Sequence, residues 1–268
     1  MSTYVFGDIQ GCYDELTALL EQIDPDPIAD ELWFAGDLIN RGPNNVDTLT
    51  LLMDLPNAFC VLGNHDLHFL AVTEGVKSPH RGDTIDDILH HPQRDAFTDF
   101  LMGQPLLHKN DALRAVMVHA GLPAMWSLED ALHWADVIHQ HLQDPELRAS
   151  FFDAMYGNEP SNWQADMNFS DRLRLATNCL TRMRYYSHPG QLEFAHKALT
   201  SPAGFSPWFE RRHPTLEDWT ICFGHWATLE GVFERTLYGL DTGCVWGRAL
   251  TAVRLEDGHV FSQVALAN

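Results

Sequence analysis

Three short apolar runs lie near the start of the chain, at residues 3–8, 31–37 and 58–65. Each closes on a glycine followed by a polar side chain: Gly7-Asp8, Gly36-Asp37 and Gly63-Asn64. β-branched and aromatic residues fill these runs, and their length suits strands. The intervening stretches, 13–22 and 46–54, carry apolar residues at helical spacing, with Leu16, Leu19 and Leu20 on one face. A β-α-β-α-β series implies parallel strands, and in such sheets ligands bind outside the carboxyl ends of the strands. Two later runs end the same way, in Val118-His119-Ala120-Gly121 and Phe223-Gly224-His225-Trp226. Five polar clusters at five strand ends should therefore face one crevice.

The rest of the chain follows from this frame. Residues 127–143 and 145–155 are helical in pattern, and 161–207 has weak periodicity, so about 126–210 reads as a mostly helical insertion covering the sheet edge. Strands are expected at 220–225, 235–241, 250–255 and 260–266, joined by turns at Asp241-Thr242-Gly243 and Glu256-Asp257-Gly258. That ending predicts mainly antiparallel β structure. The fold class is α+β or α/β, with mixed sheets flanked by helices. A length of 268 residues suits one domain over 1–268, and eight Trp and fifteen Phe demand a core.

The side chains that converge at the strand ends are Asp8, Gln10, Asp37, Asn64, His119 and His225. Carboxylates, amides and imidazoles without thiolate suit Mn²⁺, Fe²⁺, Co²⁺, Mg²⁺ or catalytic Zn²⁺. Six ligands exceed the need of one catalytic ion, whereas two ions sharing a carboxylate would use them all. Such ions sit roughly 3.5–4 Å apart and clamp the attacking and leaving oxygens of a phosphoryl displacement. Taken singly, each residue has a plainer explanation. A lone Gly-Asp is usually a turn, Asn64 suits a helix cap, and a single buried His is most often hydrogen-bonded core. Their joint occurrence after five strands favours the chemistry.

Charge and cysteine content narrow the class further. Acidic residues number 37 against 17 basic, a net charge of −20, which excludes a general nucleic-acid-binding surface and any stable nucleic-acid partner. Only Lys77, Lys109 and Lys197 are lysines, so arginines must supply any anion site. Five cysteines without a Cys-x-x-Cys pair argue against a disulfide framework and for a reducing cytoplasm. The start, Met1-Ser2-Thr3-Tyr4, lacks the character of a signal peptide, and no uncharged apolar run approaches about 18 residues, so no membrane span is expected.

Gly7-Asp8-Ile9-Gln10-Gly11, Gly36-Asp37-Leu38-Ile39-Asn40-Arg41-Gly42 and Gly63-Asn64-His65-Asp66 together resemble the calcineurin-like metallophosphoesterases, in their phosphoprotein-phosphatase branch. More narrowly, the chain is similar to the bacterial symmetrical diadenosine tetraphosphatases. That similarity rests on Gly11-Cys12-Tyr13-Asp14-Glu15-Leu16, Asp153-Ala154-Met155-Tyr156-Gly157, Thr181-Arg182-Met183-Arg184, Phe223-Gly224-His225-Trp226-Ala227 and Leu240-Asp241-Thr242-Gly243-Cys244. The resemblance implies a β-sandwich of mixed sheets, with the insertion capping the active-site edge. It implies two divalent ions (Mn, Co, Fe or Mg) held by the six ligands, and a hydroxide between them that attacks phosphorus in line. His65 would be the general acid, and Arg41, Arg184 and Arg182 would bind phosphate oxygens. The implied substrate is a dinucleoside polyphosphate, diadenosine tetraphosphate, cleaved to two ADP. Nucleoside-polyphosphate caps at RNA 5′ ends offer the same chemistry. A protein Ser/Thr phosphatase or a non-catalytic metal-binding scaffold are weaker readings.

Two positions depart from the broad family. Gln10 stands where the family has a His ligand, and its carbonyl oxygen would be a harder, neutral substitute. Asn40 stands where protein phosphatases place an Asp that orients the catalytic His. There it is expected to accept a hydrogen bond without supplying charge, with Asp241 as a candidate to compensate. At i, i+2 spacing on a helix, only one of Arg182 and Arg184 would reach the substrate. Trp163, Trp226 and Tyr185 are candidate base-stacking surfaces.

Overall fold

Each of the first three strands stops before its glycine, so the Gly-Asp and Gly-Asn turns stand clear of the sheet. The computed structural model describes residues 1–187 and 190–266. Strands β1 (Thr3–Phe6), β2 (Glu31–Phe34) and β3 (Ala58–Cys60) pair in parallel and alternate with helices α1 (Tyr13–Ile23) and α2 (Asn45–Asp54). Helices α3 (Asn64–Thr73), α4 (Asp86–Leu89) and α5 (Arg94–Met102) lead to strands β4 (Leu107–Asn110) and β5 (Ala115–Val118). Next come α6 (Leu128–Gln143), α7 (Pro145–Ala154) and α8 (Phe169–Arg182), then β6 (Tyr185–Ser187), β7 (Leu192–Glu193) and β8 (Phe205–Pro207). The chain finishes with β9 (Thr220–Phe223), β10 (Val232–Glu234), β11 (Leu237–Gly239), β12 (Ala249–Arg254) and β13 (His259–Val264).

Two five-stranded sheets result, in the orders β13-β12-β1-β2-β3 and β10-β11-β9-β5-β4. Period-2 alternation sends the strands' side chains to opposite faces. Val5, Trp33, Met117, Cys222 and Val253 come from both sheets and pack into one buried cluster, the layer between them. Tyr4, Phe6 and Phe34 point the other way, where Leu16 and Leu19 of α1 cover them. Phe6 stacks on Phe34 at 4.9 Å. The sandwich with flanking helices is the architecture expected from the sequence.

Two expectations hold with additions. The C-terminal strands pair mainly antiparallel, β10 with β11 and β12 with both β13 and β1, but β9 pairs in parallel with both β5 and β11. The chain reverses once in β10 before returning as β11 on the far side, so the second sheet is mixed. The region 126–210 also contains more than helices, since β7, β6 and β8 form a small antiparallel sheet. Its helices begin on strong caps: Ser127 in a capping box with Asp130, Asp144 followed by Pro145, and Asn168. Asn64, suited by its sequence to a helix cap, opens α3 with Gly63 as the N-cap, whereas α5 and β4 had no counterpart in the sequence pattern. Among the described residues no helix is long and apolar enough to cross a membrane. All five cysteines are free and buried.

Candidate metal centre and substrate cleft

The five strand ends meet. Asp8 follows β1, Asp37 follows β2, Asn64 opens α3 just after β3, His119 follows β5, and His225 follows β9. Asp8, Gln10, Asp37, Asn64 and His225 line one cavity of about 400 Å³, and His119 lies fully buried behind them. The turns that bring them together are strained. Gln10, Asp37, Asn40, Arg41 and His225 all have left-handed φ, from +47° to +77°, a conformation that clusters at functional sites. Gly63 and Gly224 allow the close approach. A Cβ on Gly63 would run into the Asp37 carboxylate, and one on Gly224 into that of Asp8.

His119 Nδ1 donates to the Ala35 carbonyl at 2.8 Å, which leaves Nε2 as a lone pair 3.4 Å from Asp37 Oδ1. This backbone bond is the usual device for aiming a ligating imidazole. The Nε2 atoms of His119 and His225 are buried without a hydrogen-bond partner among the described residues. The Asn64 amide lies 2.9 Å from His225 Nδ1 and 3.0 Å from the Thr181 carbonyl, and donates to both with its NH₂ turned that way. Asp8 accepts from the His225 backbone N–H at 3.0 Å, and Gln10 Nε2 donates to Asp37 Oδ2 at 3.4 Å.

The buried carboxyls at the base of the cavity repel one another. Burial, then repulsion from Asp241 and Asp37, pushes the Asp8 carboxyl well above its usual range. Burial raises Asp66 to about 8 and Asp241 to about 7. Burial also holds His119 and His225 below the ordinary imidazole value, hence as neutral donors. Buried carboxyls beside the unpartnered Nε2 lone pair of His119 are a donor set suited to a cation. Asp37, His119 and His225 offer ligand atoms within 4.8 Å of one another, and a second group, His68, His80 and Asp83, lies nearby. The residues fit a binuclear divalent centre. If the Gln10 oxygen is a ligand, Gln10→Ala weakens Mn²⁺ binding about tenfold or more, measured by calorimetric titration. Unchanged affinity would give that position to water.

His65 follows Asn64 at the start of α3, and its backbone N–H donates to Asp37 Oδ1 at 2.8 Å. The expected role of Asn40 is overturned. Its oxygen is already taken by the backbone N–H groups of Arg41 (2.7 Å) and Thr84 (3.0 Å). Its NH₂ therefore faces His65 Nδ1 at 3.2 Å and donates to Asp83 Oδ1 at 3.0 Å. Nδ1 is the acceptor, and the ring proton sits on Nε2, which lies 3.9 Å from Asp37 on the cavity side. The charge behind Asn40 comes from Asp83, not Asp241, which instead accepts from Gly243 N–H and lines the cavity. Asp83 also holds His68 Nε2 at 3.0 Å and faces Arg41 at 3.8 Å. Its one sequence signal was a third Gly-Asp dipeptide, Gly82-Asp83, with no strand before it.

Arg41, Arg182 and Arg184 all line the cavity. Helix α8 ends at Arg182, and Met183 is extended (φ −67°, ψ 134°), so the helical i, i+2 objection does not apply. Arg182 is braced by Asn178 Oδ1 at 2.9 Å and Asn158 Oδ1 at 2.8 Å, and Arg184 by the His225 carbonyl at 3.2 Å. Arg41 donates to the Gly82 carbonyl. The stacking candidates fare differently. Tyr185 and Trp226 are buried against each other, although Trp226 also lines the cavity, and Trp163 packs on Trp126 and Trp134. Trp246, which the sequence did not single out, lines the cavity with 65% of its surface exposed.

Comparison with known proteins gives a consistent picture. The sequence model of the family described as calcineurin-like phosphoesterase matches residues 1–235. A protein of Marinomonas sp. (strain MWYL1) called "Bis(5'-nucleosyl)-tetraphosphatase, symmetrical" is 47% identical over 266 residues, covering 98% of this chain and 96% of its own. One of the same name from Stutzerimonas stutzeri (strain A1501) is 45% identical over 264 residues, covering 97% and 96%. Among solved structures, a putative diadenosine tetraphosphatase superposes with a TM-score of 0.69 at 22% identity, covering 100% of this chain and 95% of its own. A protein serine/threonine phosphatase from Saccharomyces cerevisiae reaches 0.55 at 14% identity, covering 100% and 81%. At these identities the two structures speak for the fold alone.

Proposed function

This chain belongs to the calcineurin-like phosphoesterases, and from that membership we propose that it hydrolyses diadenosine tetraphosphate to two ADP. The relatives at 45% and 47% identity are named for this activity over nearly their whole length. What carries the reading in the structure is one cavity where the buried donor set faces three arginines beside an exposed tryptophan.

We assign Asp8, Gln10, Asp37, Asn64, His119 and His225 to hold two divalent ions, with Asp37 shared; Mn, Co, Fe and Mg all suit the donors. When bound, the ions supply Lewis acidity at the phosphate oxygens and lower the pKa of the attacking water. The water oxygen bonds to an inner phosphorus, the central P–O–P bridge breaks, and each half departs as ADP. Arg41, Arg182 and Arg184 bind the non-bridging oxygens, where planar bidentate donors are most useful. His65 carries its one proton on Nε2, towards the cavity, and assists the leaving oxygen as acid through that N–H···O hydrogen bond, the phosphate leaving as an anion and the ring keeping its proton. Asn40 and Asp83 fix the ring that does so.

We further infer one catalytic domain over residues 1–268. Arg182 and Arg184, contributed by the insertion at about 126–210, line the cavity together with Asp8 and Asp37. The five free, buried cysteines support a reducing compartment, the cytoplasm. A nucleoside-polyphosphate cap on an RNA 5′ end carries the same linkage and is a second candidate substrate. Incubation with diadenosine tetraphosphate and Mn²⁺ or Co²⁺, followed by nucleotide chromatography, tests the reading. ADP is expected as the sole nucleotide product, and a chelator stops its release. ATP plus AMP, or no turnover, would overturn it.

A further inference from the structure

A second cavity of about 370 Å³ adjoins the metal-centre cavity of about 400 Å³. Arg41, Asn64, His65, Arg182 and Lys197 line both, so the two meet along a seam that holds the acid and three cationic side chains. The outer parts differ. The first cavity has the exposed ring of Trp246. The second has Met155, Tyr156 and a pair of stacked imidazoles, His68 and His80, parallel to within 6° at 4.2 Å.

This pair is built to present one free ring face. His68 is fixed at both nitrogens, Nδ1 to the Tyr156 hydroxyl at 2.7 Å and Nε2 to Asp83 at 3.0 Å. His80 lies flat on it, tied by its backbone N–H to Asp83 at 2.6 Å, with 66% of its side chain exposed. One face of the His80 ring is thus covered by His68 and the other is open to a third ring. Aromatic platforms of this kind bind bases through stacking without requiring a particular hydrogen-bond pattern.

Ring, cations, ring is also the layout of a dinucleoside polyphosphate: base, phosphate chain, base. We propose that the second cavity is the subsite for the second nucleoside diphosphate half, its base stacked on His80 and its phosphates on Arg41, Arg182 and Lys197. The first half lies over the metal centre beside Trp246. This rests on the hydrolysis proposed above and extends it. Two cavities of nearly equal volume, meeting at His65, place the scissile bridge in the middle of the phosphate chain, which accounts for products of equal size.

Two variants test it in the metal-loaded full-length protein. His80→Ala should raise KM for diadenosine tetraphosphate about tenfold, the order seen when a stacking ring is removed. His80→Phe keeps the ring without its nitrogens and should restore KM to within about threefold of the parent. Equilibrium dialysis with ADP should find two molecules per parent chain and one per His80→Ala chain. A parent that releases ADP while His80→Ala keeps its KM overturns the subsite alone. So does a His80→Phe variant as impaired as His80→Ala, since that would assign the effect to the ring nitrogens, of which Nδ1 lies 4.0 Å from Asp83, and not to stacking. A parent that releases no ADP overturns the proposed hydrolysis and the subsite with it.

Discussion

Asp37→Ala is expected to lower kcat/KM for diadenosine tetraphosphate at least about a thousandfold and to leave fewer than two divalent ions per chain. Disturbing a residue behind a metal ligand already costs roughly 10–100-fold, and Asp37 is assigned as the ligand shared by both ions. It is also a mechanical anchor. Its Oδ1 accepts from the His65 N–H at 2.8 Å, its Oδ2 from Gln10 Nε2 at 3.4 Å, and His119 Nε2 stands 3.4 Å away. Truncation therefore removes the bridge, releases the start of α3 and leaves His119 facing a void. Asp37→Asn keeps the size and most hydrogen-bonding capacity while losing the charge, so its defect should fall between parent and Ala. Metal analysis after dialysis, alongside steady-state rates, reads both effects. Two ions retained in active Asp37→Ala protein would refute the shared ligand.

Arg41→Ala should cost about 2–4 kcal/mol of transition-state stabilisation, the range for deleting a preorganised donor at developing charge. Arg41 is held in a left-handed backbone conformation (φ +70°), with one guanidinium nitrogen on the Gly82 carbonyl and the other 3.8 Å from Asp83. Only 28% of its side chain is exposed, and Asp83 is almost wholly enclosed. Removing the cation therefore also leaves a buried carboxylate short of a partner. Arg41→Lys restores the charge but not the planar fork, and should recover only part of the loss. The comparison is made on kcat/KM with saturating metal. A loss of less than tenfold in Arg41→Ala would exclude Arg41 from the phosphates.

The donor set was legible because each of its members sits next to a glycine or a strand end, where sequence pattern is strongest. Asp8, Asp37, Asn64, His119 and His225 all meet at one end of the sandwich, and the alternation that buries Val5 between the sheets and Phe6 beneath α1 was present in the same runs. What lay hidden was set by contacts between segments far apart in the chain. Asp83 shows no local sign that it reaches Asn40, 43 residues earlier. The direction of the Asn40 amide follows from two backbone N–H groups on its oxygen, one from Thr84, 44 residues away. Trp246 and Trp226 each stand within two residues of a glycine, and only tertiary packing exposes one and buries the other. The parallel placement of β11 beside β9 depended on where β10 turned, which strands of only three residues each do not encode.

The first strand of the chain lies inside its sheet, between β12 and β2. Its aspartate, Asp8, takes its hydrogen bond from a backbone group 217 residues further on. At a synthesis rate of roughly 5–20 residues per second, that donor leaves the ribosome about 10–40 s after Asp8 does. Throughout that interval β1 can pair with β2 on one side while its other edge stays bare, waiting for β12. An unpaired interior edge is a template for the wrong strand, and pairings so distant in sequence form slowly. The nascent chain therefore carries its period of greatest exposure early, and the centre that will need two ions cannot be assembled until nearly the whole polypeptide has emerged.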